Sequence, residues 1–160
     1  MAAIIIFALF SITKQILSSG KTDSTVSFFD KLIDEIYNLK NNEEKQVLFS
    51  ISSDYIVVGF NKDKDYIGGS GKVCSGGYVF SEQINKPYSC EKDAGCLCLC
   101  KSSSELSTED CETENGGICY SFDYDIRDDK NSCGYFILAG KADKQLTIKK
   151  GADTIIINKE

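Results

Sequence analysis

The chain has no histidine and no tryptophan, and Pro87 and Met1 are its only proline and methionine. Without histidine it lacks the commonest general base and the commonest metal ligand, so most acid–base and zinc catalysis is left without its usual residues. Basic residues are scattered: 18 Lys and Arg face 24 Asp and Glu, for a net charge of -6. Phosphate backbones are held by concentrated positive charge, which excludes nucleic acid as a partner. No N-x-S/T glycosylation site is present either. What remains is a chain of 160 residues with eight cysteines, enough for one domain with a modest core plus an appendage.

The appendage is the opening segment, Met1–Leu17 (MAAIIIFALFSITKQIL), in which Lys14 is the only charged residue. As a helix it would be about 26 Å long, short of the roughly 20 apolar residues that cross a bilayer core alone. Ile4, Ile5, Ile6, Phe7, Leu9, Phe10, Ile12, Ile16 and Leu17 would circle that helix completely, so it needs cover on every side. A cleavable secretory signal, a membrane anchor, a helix packed among copies of itself and a core helix buried in its own domain each supply such cover. No positive charge precedes the apolar run, which counts against the signal.

Ser18–Ser27 is a polar hinge. The stripe Phe29, Leu32, Ile33, Ile36 and Leu39 opposite Asp30, Lys31, Asp34, Glu35 and Asn38 predicts an amphipathic helix over Phe28–Leu39, with Ser27 as its N-cap. The periodicity then falls to two. Strands are expected at Val47–Ile51 and Tyr55–Phe60, joined as a hairpin, then at Tyr78–Phe80, Cys96–Cys100, Cys119–Ile126 and Tyr135–Ala139. A closing hairpin is expected from Leu146–Lys149 and Thr154–Asn158. The predicted class is α+β: an apolar N-terminal helix and hinge over 1–27, then a head over 28–160. In that head the second helix packs on a mainly antiparallel sheet.

Cys74, Cys90, Cys96, Cys98, Cys100, Cys111, Cys119 and Cys133 lie in one stretch poor in large apolar residues. An even, dense set of this kind predicts disulfides that replace missing core in an oxidising compartment. On a strand, Cys96, Cys98 and Cys100 share one face, with Leu97 and Leu99 on the other. Side chains so placed pair poorly with each other, so each is expected to bond a cysteine from an adjoining segment. Zinc prefers C-x2-C knuckles; the C-x-C-x-C run lacks them, and no metal or other cofactor is expected.

Other motifs are weaker. Asn61, Asp63 and Asp65 have calcium-loop spacing, but Tyr66 occupies the glycine position and Lys72 the closing glutamate position. Gly68–Lys72 (GGSGK) misses the phosphate-loop pattern at Tyr66 and Val73. Asp123 and Asp125 would share a strand face in an acidic group with Asp128 and Asp129, a geometry open to paired-carboxylate chemistry. The expected role of that group is a solvated strand edge that discourages edge pairing.

The apolar start feeding a β-rich head resembles type IV pilins and their archaeal relatives. The segments FFDKLIDEIYNLK, YIVVGF, KPYSCEKDAGCLCLCK and LTIKKGADTIIINK are similar to small cysteine-rich secreted proteins of archaea. Ile5 stands where bacterial pilins carry glutamate, and a basic leader is missing. The resemblance implies a non-enzymatic structural subunit of an extracellular, cell-surface filament. That subunit would polymerise with itself through Ala2–Leu17, which sits in the membrane before helical assembly. The other expectation is a membrane-anchored extracellular binding module, with the Asn61–Lys72 loop as its ligand site.

Overall fold

The computed structural model describes residues 24–69, 82–101, 106–130, 135–140 and 142–160. The apolar opening, Met1–Leu17, with its expected assembly residues, lies outside the described residues, as do Cys74, Cys133 and the expected strand Tyr78–Phe80. Among the described residues one α-helix, α1 (residues 24–38), leads into ten strands, with two short 3-10 turns at Glu109–Cys111 and Thr113–Asn115. The strands are β1 (Glu44–Ile51), β2 (Tyr55–Phe60), β3 (Tyr66–Gly68), β4 (Gln83–Asn85) and β5 (Gly95–Lys101), then β6 (Ile118–Phe122), β7 (Asp125–Arg127), β8 (Ile137–Ala139), β9 (Ala142–Lys150) and β10 (Thr154–Lys159). They build sheet A in the order β1-β9-β10-β7, sheet B in the order β6-β5-β2-β8, and a small β3-β4 pair.

The expected α+β class, an apolar N-terminal helix plus a second helix packed on one mainly antiparallel sheet, is therefore corrected. The described residues are mostly β, in two four-stranded sheets with one helix. Among the described residues no helix is long and apolar enough to cross a membrane. The two-sheet division also overturns the β1–β2 hairpin. Strand β1 pairs β9 in sheet A, while β2 pairs β5 and β8 in sheet B. Ser52–Asp54 is thus a crossing between sheets, fixed where the Ser52 amide donates to Thr25 Oγ1 at 3.1 Å. The closing hairpin is present as β9 and β10, antiparallel, with β7 added in parallel outside β10.

Burial follows from this layering. Sheet A turns Val47, Phe49, Ile51, Leu146, Ile148, Ile155 and Ile157 inward, and Val57, Leu97, Leu99 and Leu138 of sheet B meet them. The predicted helix stripe, Phe29, Leu32, Ile33, Ile36 and Leu39, is buried in the same core. Helix α1 touches both sheets at their edges. Glu35 forms an ion pair with Lys45 of β1, and the Tyr37 ring lies 5.1 Å from that of Phe122 in β6. Ser27 falls inside the helix, which is already formed at residue 24, so it is not the N-cap.

The central strands of sheet B, β2 and β5, are buried on both faces. The other side of that sheet carries Ile56, Val58, Phe60, Ile137 and the cysteines, in a second apolar cluster under the loops. A strand covered on both sides loses the polar alternation of a half-exposed one. That accounts for the unbroken apolar run YIVVGF, buried at all six positions.

Candidate functional site

The expected strand Cys119–Ile126 is two strands in different sheets. Strand β6 ends at Phe122, the chain turns at Asp123 and Tyr124, and β7 restarts at Asp125 in sheet A. Two glycines let this corner press onto sheet B. A Cβ on Gly95 would stand 1.9 Å from the Tyr124 carbonyl oxygen, and one on Gly59 2.6 Å from Ile126 Cγ2.

The corner opens a cleft of about 430 Å³ lined by Ile36, Tyr37, Glu91, Ser121, Phe122, Asp123, Tyr124, Lys150 and Ile155. Ile36, Phe122 and Ile155 are buried and make an apolar floor. Tyr37 is about half exposed, and its hydroxyl donates to the Ser121 carbonyl oxygen at 3.2 Å. The Lys150 ammonium lies 4.7 Å from the centre of the Tyr124 ring, a cation–π contact that holds it at the rim. Glu91 is tied to β6 by its amide, which donates to Ser121 Oγ at 2.9 Å. The cleft therefore combines an apolar floor, aromatic walls, two carboxylates and one ammonium.

The acidic group expected on one solvated edge is dispersed. Asp123 lies exposed at the cleft. Asp125 is held by the Lys62 amide at 2.8 Å and the Arg127 guanidinium at 2.8 Å. Asp128 is buried, accepts from the Lys130 amide at 2.9 Å and faces the Lys159 ammonium at 3.8 Å. Asp123 and Asp129, the latter with its amide donating to Asn158 Oδ1, stay on the surface as expected. Asp123 and Asp125 fall on either side of the sheet crossing, so they do not form the carboxylate pair of one strand face.

In the Asn61–Lys72 loop, Tyr66 begins β3, and the Asp65 carbonyl accepts from the Lys86 amide at 2.7 Å. The Lys86 ammonium donates to the carbonyls of Lys62, Lys92 and Ala94 and binds two loops together. Burial pushes its pKa down, against the pull of Asp65, Asp93, Asp125 and Asp63. Residues 61–69 are stitched to their neighbours by these bonds, and residues 70–72 of the expected loop lie outside the described residues.

Strand β5 places its cysteines as expected, Cys96, Cys98 and Cys100 on one face and Leu97 and Leu99 on the other. Each bonds a neighbouring segment: Cys90–Cys96, Cys98–Cys119 and Cys100–Cys111. Cys98 and Cys119 are direct cross-strand partners, with Cα atoms 4.1 Å apart. The three bridges are consistent with an oxidising environment.

No protein family, no curated protein and no solved structure matches this chain. The likeness to pilins gains no identified relative from these comparisons.

Proposed function

We propose that the chain is an extracellular binding module, non-catalytic, whose cleft between α1 and the Asp123–Tyr124 corner captures a small amphipathic zwitterion of amino-acid or short-peptide size. The observation that carries this reading is the composition of the cleft. Ile36, Phe122 and Ile155 offer an apolar seat, while Glu91 and Asp123 can accept from an ammonium and Lys150 can donate to a carboxylate. Its volume is in the lower part of the roughly 300–1,000 Å³ typical of small-ligand sites, which fits a ligand of that size. The disulfides favour an extracellular setting. Attachment to a membrane through Met1–Leu17 belongs to the same reading. The alternative, a filament subunit, draws its assembly surface wholly from that segment, and the cleft lends it no support.

Calorimetric titration with zwitterionic dipeptides that carry an aromatic side chain tests the proposal. Binding is expected, and Tyr37→Ala and Lys150→Ala should each weaken it about tenfold, as loss of one charged or aromatic contact does. No binding, or binding indifferent to both substitutions, refutes it.

A further inference from the structure

The sulfur atoms of Cys90, Cys96, Cys98 and Cys119 all lie within 4.8 Å of one another, although they belong to two separate disulfides. Across the gap between the bridges, Cys98 Sγ is 3.6 Å from Cys90 Sγ and 3.7 Å from Cys96 Sγ. Four thiolates around a tetrahedral zinc, with Zn–S near 2.3 Å, are separated from each other by about 3.8 Å. Two edges of such a tetrahedron are thus in place before any ion arrives. The scaffold is rigid: Cys96 and Cys98 are on β5, and Cys119 faces Cys98 across the β5–β6 ladder. Cys90 comes from the tight turn in which its amide donates to the Pro87 carbonyl at 3.0 Å. Cys90, Cys96 and Cys98 are buried in the apolar cluster beneath sheet B, which keeps competing water away. Cys119 is partly exposed and offers the entry point.

The geometry points to a second state of the protein, in which these four cysteines, once reduced, form a tetrathiolate site for one zinc or similarly thiophilic divalent ion. The electron balance is simple. Two dithiol molecules supply two electrons each, both disulfides open to give four thiols, and the dithiols leave as their own disulfides. Binding of one ion releases the four thiol protons. Exchange with two molecules of that small disulfide reverses the sequence: the two bridges re-form, two dithiols take up the four electrons and four protons, and the ion is ejected. The Cys100–Cys111 bridge takes no part.

The full chain, reduced without oxygen and titrated with Co²⁺ as probe, tests this. Saturation is expected at one ion per four-sulfur site, with thiolate-to-cobalt charge-transfer bands and the strong visible bands of tetrahedral cobalt. A Cys100→Ser, Cys111→Ser double variant should retain this spectrum, and Cys98→Ser should lose it. Because a variant can fail to fold, the wild-type chain supplies a second measurement. Zinc should slow alkylation of Cys90, Cys96, Cys98 and Cys119 at least about tenfold, a difference of about 1.4 kcal/mol, while Cys100 and Cys111 react as in metal-free protein. Absent tetrahedral bands, or protection that spares these four or spreads equally to Cys100 and Cys111, overturns the inference.

Discussion

At the scale of single residues, a few polar contacts join elements that apolar packing alone would leave free to slide. The Tyr120 hydroxyl donates to Asp30 Oδ1 at 3.1 Å, and the Tyr120 ring lies 6.0 Å from that of Phe29, so one side chain holds α1 to β6 twice over. Burial, and then the bond to Asp30, raise the Tyr120 pKa above the ordinary 10.0. The fold thus binds this proton more tightly than the unfolded chain does. Its stabilisation is complete below the unfolded value and is lost as pH rises through the raised folded one. Tyr120→Phe should cost about 0.5–1.5 kcal/mol at neutral pH, the worth of one hydrogen bond. The difference from wild type should shrink as pH climbs past about 10. Urea midpoints of both proteins across that range check this; a constant difference would show that the hydroxyl proton is not involved.

At the scale of elements, the Asp123–Tyr124 corner determines both the sheet division and the cleft. Gly95→Ala should therefore be severe, because the new methyl meets backbone, the Tyr124 carbonyl oxygen, at 1.9 Å. A loss of about 3 kcal/mol or more is expected, at the upper end of overpacking costs. Gly59→Ala meets side chains, Ile126 Cγ2 at 2.6 Å and Phe136 Cβ at 3.1 Å, rather than backbone at 1.9 Å, and should cost less. Thermal melts of the two variants rank them, and equal losses would mean that the corner yields. The sequence displayed period rather than partnership. The α1 stripe, the two-faced β5 and the β9–β10 hairpin were legible because each is written in local spacing. The sheet crossings were not, since Ser52–Asp54 reads as an ordinary hairpin turn, and only distant β9 competes for β1. Nor is the burial of Asp128 visible locally, because its partner Lys159 lies far along the chain, at the end of the neighbouring strand β10. In the cleft, only Asp123 was marked in the sequence. Tyr37, Glu91, Tyr124 and Lys150 come from separate segments and share no spacing that would announce them.

At the scale of the whole molecule, the bridges compensate for a second cluster that is thin in large side chains. They span 21, 11 and 6 residues for Cys98–Cys119, Cys100–Cys111 and Cys90–Cys96. On chain-entropy grounds, their removal as paired serines should cost about 3, somewhat under 3 and about 2 kcal/mol, in that order. Guanidinium midpoints of the three double variants measure the order, and its reversal would place the stabilisation in native packing instead. The pairing of β1 with β9 has a further consequence, for timing. All eight residues of β1 are matched by residues 142–149, so sheet A cannot close until β9 has been made. Long-range ladders of this kind form slowly. Sheet B, whose strands end at Ala139, can therefore pair first, and the completed face of its core has to wait, uncovered, for sheet A to arrive.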